Sequence, residues 1–396
     1  MTKYISPVIT LSVFCISLAG CFKEEPLNAE CDIEQAWIHY DDPESSVWQL
    51  SDTIKNEISS TSDSIGFDVY PGTDRRALAP TFVITPGATI SPANGSVQDF
   101  TQGPVLYTVT SEDGQWQRIY KVDVREKHHT VSTTISYGFE NYSLYQVPGS
   151  SAKYYVWEAG EGEEASINQW ATGNGGFKIS NMMAKPDEYP TVPLEEGRTG
   201  RGAQLTTRAT GPIAQAVGKR LAAGNLFLGS FNSQIALTES MKATHFGIPF
   251  DKKPLRFSGY YRYQPGETFW DTDGTPMPDR VDEPAIYAIF YKNHDNEGNS
   301  ITLYGDNIQT SPQIVAKAVM TGMGKQDEWT RFEVEFNYIE NLDLNLLSTF
   351  GYSLAVVFSS STDGALFRGA VGSTLCIDDV QIICEKEETK EDNNIE

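Results

Sequence analysis

Between residues 330 and 338 the chain alternates. Thr330, Phe332, Val334, Phe336 and Tyr338 fall on one side, and Arg331, Glu333, Glu335 and Asn337 on the other. A side-chain period of two is that of a β-strand with one wet face. Leu255, Phe257, Tyr261 and Tyr263 form a second such face, and Ile65, Phe67 and Val69 a third. Two runs, Ile286-Tyr287-Ala288-Ile289-Phe290-Tyr291 and Leu354-Ala355-Val356-Val357-Phe358, are apolar on both sides, as strands covered on both faces are. The one helix candidate, 212–223, spaces Ile213, Val217 and Leu221 four apart but carries Gly218 inside it. A strand through 221–227 fits the same stretch. The expectation is an all-β chain.

The last apolar segment, Thr374-Leu375-Cys376-Ile377-Asp378-Asp379-Val380-Gln381-Ile382-Ile383-Cys384, reads as a closing strand. Its apolar residues change face at Asp378-Asp379, which predicts a bulge there. The expected neighbour is Thr134-Ile135-Ser136-Tyr137-Gly138-Phe139-Glu140. If the two lie side by side, everything between them is one closed sandwich.

A length of 396 residues suggests two or three domains. Over 31–127, short strands are punctuated by Pro80, Pro86-Gly87, Pro92 and Asn94-Gly95, and Asp113-Gly114 turns a terminal hairpin. This pattern suggests an immunoglobulin-like sandwich. The run from Phe82 to Pro92, then Asp99-Phe100-Thr101, then Tyr107 to Gly114, resembles small immunoglobulin-like modules that act as spacers near the anchors of surface lipoproteins. Residues 128–387 suggest one larger sandwich of jelly-roll type, followed by a charged tail at 388–396. The formal charge of -23 sets nucleic acid aside and disfavours direct contact with an anionic membrane. Cys376 and Cys384, eight residues apart on one strand, would lie roughly 27 Å from each other. A disulfide needs about 4.4–6.8 Å between Cα atoms, so buried thiols are expected instead.

Residues 1–20 have a basic start and an apolar run too short to span a bilayer, the pattern of a secretory leader. Leu18-Ala19-Gly20-Cys21 resembles a bacterial lipobox, which implies a lipid on Cys21 and a tether at 21–30. Phe22-Lys23-Glu24-Glu25 resembles the surface-export signal of some Gram-negative anaerobes; a plain polar tether is the alternative. The implied location is the outer membrane, lipid-anchored and facing out.

Three phrases resemble the putative carbohydrate metabolism (PCMD) domain. They are Arg220-Leu221-Ala222-Ala223-Gly224-Asn225-Leu226-Phe227-Leu228-Gly229-Ser230-Phe231, then Asp282-Glu283-Pro284-Ala285-Ile286-Tyr287-Ala288-Ile289-Phe290-Tyr291, and Cys376-Ile377-Asp378-Asp379-Val380. The resemblance covers nearly all of the second unit. It implies a fold similar to carbohydrate-binding jelly rolls and carries no catalytic residues with it.

A sugar site needs an aromatic face for the ring and carboxylates or amides for its hydroxyls. The loop Phe269-Trp270-Asp271-Thr272-Asp273-Gly274 is the preferred candidate. Trp157-Glu158, Asn168-Gln169-Trp170 and a platform at Tyr260-Tyr261-Arg262-Tyr263 follow. For each, a core or loop anchor is the alternative. Glu140, Asp378 and Asp379 could hold a structural calcium, since hard cations take clustered oxygens; capping of nearby N–H groups is the other reading. No zinc-protease helix, nucleophile elbow or phosphate loop is present. The expected function is glycan binding in support of polysaccharide use. An adhesin with a protein partner, or a glycoside hydrolase or lyase, are its rivals.

Overall fold

A computed structural model describes residues 27–47, 50–70, 72–126, 133–157 and 170–386. The leader, Cys21 and the charged tail lie outside the described residues, as do Glu158, Asn168 and Gln169. The chain is all-β, with short helical turns only between strands.

In the first unit, Ile33–Trp37 sits between Asn56–Glu57 and Thr81–Ile84 in one sheet. Opposite it, Ser64–Val69, Gln117–Glu126, Val105–Thr110 and Thr89–Ser91 form the second sheet, in that order. The alternating faces meet in between: Ile65, Phe67, Val69, Tyr107, Val109, Tyr120, Val122 and Val124 are all buried. Cys31 joins this core as a free thiol.

The second unit is a two-sheet sandwich. One sheet runs Thr191–Leu194, Gly202–Thr206, Thr374–Cys384, Pro254–Gln264, Gln326–Glu335. Thr134–Tyr137 pairs with the far half of the closing strand, Tyr137 opposite Val380 and Thr134 opposite Ile383. The first and last strands of this body are therefore neighbours. The closing strand carries the expected bulge: Tyr260 faces Asp378 while Ser258 faces Gln381, and Asp379 takes a φ of 49°. That one extra residue lets Ile377 and Val380 both point inward. A second register shift between Pro254 and Arg256 turns Leu255 out to solvent, so it leaves the face it shares in sequence with Phe257.

The other sheet runs Trp170–Ala171, Asn225–Phe231, Tyr352–Ser359, Ala285–Lys292, Ile314–Val319, Asn337–Tyr338. Its inner face, with Leu226, Leu228, Ile286, Phe290, Leu354 and Phe358, packs on Phe257, Tyr261, Leu375 and Ile377 of the first sheet. Its outer face is also covered. Phe227, Tyr287, Ile289, Tyr291 and Val357 pack with Phe246, from the short strand Thr244–Phe246, and with Leu303 and Ile308 of the long loops. Cover on both faces is why these strands are apolar throughout. The helix candidate resolves into a short helix, Pro212–Ala216, and a two-residue strand, Leu221–Ala222; Gly218, at a φ of 80°, turns the chain between them.

The two units touch. The Tyr145 hydroxyl donates to the Ser60 carbonyl at 2.5 Å, and the Arg118 guanidinium lies 5.2 Å from the Tyr145 ring centre. His245 Nδ1 stands 3.1 Å from the Glu57 carboxylate.

Candidate functional site

Trp157 and Trp170 are interior residues, at 0% and 3% exposure. Trp170 sits edge-on to Tyr137 and Phe139, with ring centres 5.1 and 5.3 Å away. Both tryptophans belong to the core between the sheets, so neither offers a face to a sugar, and the expectation for them is corrected. Phe269 is also sealed, at 1% exposure, under the Arg280 guanidinium 4.1 Å away. Its neighbour in the preferred loop, Trp270, points outward at 36% exposure. The alternation along Phe269–Trp270 puts one ring in and one out. Asp271 is engaged with Arg368 at 2.9 Å. Of the proposed platform, Tyr261 and Tyr263 are buried in the core and the Tyr260 ring is roofed by Arg198 at 3.7 Å, so that expectation is corrected too.

The three acids proposed for calcium are spoken for by donors. Asp378, fully buried, accepts the backbone N–H of Arg198 at 2.7 Å, of Thr199 at 2.9 Å and of Asp379 at 2.7 Å. Burial pushes its carboxyl above the ordinary range, and these N–H groups pull the other way. Asp379 takes the Arg198 guanidinium at 2.6 Å and the Thr199 hydroxyl at 3.0 Å. Glu140 accepts the Arg201 N–H at 3.1 Å. Gly200, at a φ of 62°, lets the loop press against Glu140, where a Cβ would fall 2.3 Å from the carboxylate. The acids fasten the 197–201 loop to the closing strand, and no metal-holding group of three such ligands exists among the described residues. The calcium expectation is corrected to capping, because an arginine and N–H donors stand where the cation would.

A cleft of about 580 Å³ opens on the outer face of the second sheet, where the covering loops part. Its size suits a small-molecule or short-oligomer site. Register builds the floor. Phe227 lies opposite Val357, which lies opposite Tyr287, giving one cross-strand row of three. The next row is Asn225, Ser359 and Ala285. The Tyr287 hydroxyl meets the Gln309 side chain at one wall. Two half-buried rings, Phe231 and Phe367, stand on the walls. Gly364 brings the wall loop against Ala223, whose Cβ would be 2.4 Å from any Cβ at 364.

The wall that carries Phe367 is pinned from behind. Asp282, 1% exposed, accepts the Ser361 hydroxyl at 2.6 Å, the Ser373 hydroxyl at 2.7 Å and the Ala370 N–H at 2.8 Å. Burial raises its carboxyl above the ordinary range. The predicted Trp270 loop buttresses the same wall from outside: Phe269–Trp270 pairs with Gly369–Ala370, and Thr272 donates to the Leu366 carbonyl at 2.9 Å. Sequence reasoning thus reached the back of this wall and missed its front. The cleft floor reads as ordinary buried strand, since alternate residues point into core and cleft. The available signal was that two of the three phrases carrying the family resemblance supply Asn225, Phe227, Ala285 and Tyr287.

Among the described residues, three charged side chains line the cleft: Lys219, Asp306 and Asp363. Asp306 pairs with Lys242 at 2.8 Å, and Asp363 with Arg280 at 2.6 Å. Ring faces, amides, hydroxyls and paired carboxylates make a surface suited to holding a polyhydroxylated ring.

A model of the putative carbohydrate metabolism domain matches residues 138–383, and a model described as SGBP, N-terminal, matches residues 46–124. Among solved structures, the chain is 37% identical to a putative glycoside hydrolase from Bacteroides thetaiotaomicron, covering 92% of this chain and 100% of that one at a TM-score of 0.77. A putative glycoside hydrolase from Bacteroides vulgatus is also 37% identical, over 63% of this chain and 98% of that one, at a TM-score of 0.58. No curated protein matches the chain.

Proposed function

The chain belongs to the putative carbohydrate metabolism domain family, and from that membership we propose that it binds glycan in the cleft above Phe227, Val357 and Tyr287. The observation that carries this reading is the pairing of a three-strand floor with two half-buried wall rings, Phe231 and Phe367. Stacking against the C–H face of a sugar needs such rings at a wetted surface. Binding is favoured over cleavage. Hydrolysis calls for two carboxylates about 5–10 Å apart, one of them kept protonated. The two in the cleft are each committed to a cation. The one carboxyl raised by burial beside it, Asp282, is sealed off with its oxygens occupied.

In this reading a lipid on Cys21 holds the protein at the outer face of the outer membrane, where it captures polysaccharide for use by the cell. The lipobox-like Leu18-Ala19-Gly20-Cys21 supports that placement. Metabolic labelling with an alkynyl fatty acid tests it: label and membrane retention should both disappear in Cys21→Ala. Affinity electrophoresis on a panel of polysaccharide gels tests the cleft. Retardation by at least one glycan, lost in the Phe231→Ala, Phe367→Ala double variant, is the expected result. Retardation that survives the double variant but is lost in Trp270→Ala would move the site to the 269–274 loop.

A further inference from the structure

The charge in the cleft does not balance. Asp306 has Lys242, and Asp363 has Arg280 at 2.6 Å and Arg368 at 3.9 Å, the latter also reaching Asp271 at 2.9 Å. Lys219 pairs with no carboxylate among the described residues. Its Nζ donates to the backbone carbonyls of Ala236, at 3.3 Å, and Leu237, at 2.5 Å, and stands 5.3 Å from the centre of the Phe367 ring. Two of its three protons are thereby directed, and one donor is left for the cleft. The lysine is partly buried, and burial pulls its pKa below the ordinary range. A chain of formal charge -23 offers acids in abundance, yet among the described residues none is paired with this lysine. A partly buried cation with no carboxylate beside it gains most when an anion arrives.

We propose that the cleft is selective for acidic sugars, the anionic substituent pairing with Lys219 Nζ while the ring lies against Phe367. This rests on the cleft reading above and deepens it. The recognised chemistry is one negative group on a pyranose edge, which a uronate carboxylate or a sulfate ester could supply. Asp306 and Asp363 do not oppose it, since each is already neutralised by its own partner.

Isothermal titration calorimetry of the full chain decides the matter, using two matched pairs and one sulfated probe. The pairs are oligogalacturonate against its methyl ester, and glucuronoxylan against unsubstituted xylan oligosaccharide. The probe is a sulfated galactan oligosaccharide beside its desulfated form. The acidic member of at least one pair should bind about tenfold tighter or more. That advantage should vanish in Lys219→Gln, persist in Lys219→Arg, and shrink as salt rises. Whichever acidic member wins identifies carboxylate or sulfate as the source. Equal binding of acidic and neutral members, with Phe367→Ala still weakening both, would overturn the inference and leave the cleft reading standing. Binding indifferent to both Lys219 and Phe367 would overturn the two together.

Discussion

Phe367 occupies the left-handed region, at φ 57° and ψ 35°, where a bulky side chain carries about 1–3 kcal/mol of strain. Glycine would relieve that strain, so the position offers a test that separates binding from folding. In Phe367→Gly we expect a stability change within about 1 kcal/mol by denaturant titration, since the relieved strain and the lost half-buried ring oppose each other. Glycan affinity should fall about tenfold, about 1.4 kcal/mol of stacking. The interior tryptophans should behave in the opposite way. Trp157→Phe and Trp170→Ala remove core volume; the latter should cost about 3–5 kcal/mol, with glycan affinity unchanged in whatever fraction folds. Individual residue identities could not separate these cases beforehand. Trp157 and Trp270 are both tryptophans flanked by an acid, and what separates them is which side of a short strand each occupies.

The loop at 197–201 and the closing strand form one fastening. Three backbone N–H groups converge on Asp378, and Arg198 clasps Asp379 while covering Tyr260. Removal of divalent metal should therefore leave the melting temperature where it was, which differential scanning calorimetry with and without chelator would check. Asp378→Ala should cost about 2–4 kcal/mol, because it leaves buried donors without acceptors. Asp282 plays the matching part at the cleft wall, and in Asp282→Ala the same kind of loss should appear together with weakened glycan binding. At this level the sequence was informative where the period was two. The bulge at Asp378-Asp379 followed from a change of face, and the partner strand at Thr134–Tyr137 from its place at the start of the second unit. Walls made of irregular loops carry no period, so the front of the cleft stayed hidden, and its floor emerged only when register put Phe227, Val357 and Tyr287 in a row.

Across the whole molecule, the two bodies meet through Glu57 and His245, which lies between the cleft-lining Thr244 and Phe246. Burial holds the His245 imidazole below the ordinary histidine range, Glu57 pulling back in part, and burial lowers His294 likewise. A depressed histidine gives stability that is present above its unfolded value of about 6.5 and is lost as pH falls through the lower folded value. Melting temperature should accordingly drop on going from pH 7.5 towards pH 5, and His245→Gln should flatten part of that slope. The two-body division and the all-β class were readable from strand period and turn residues. The contact between the bodies was not, because it joins single residues such as Ser60 and Tyr145 that no local pattern links.

The larger body begins and ends on adjacent strands, Thr134–Tyr137 against Thr374–Cys384. A body whose entry and exit share one doorway can be spliced into a loop of a host protein without stretching either. It can also be re-cut, its old ends joined by a short linker and new ones opened at an exposed turn such as the one around Gly298. The sandwich is in this sense a transplantable cassette, and a re-cut version that still folds would owe nothing to the order in which its strands are made.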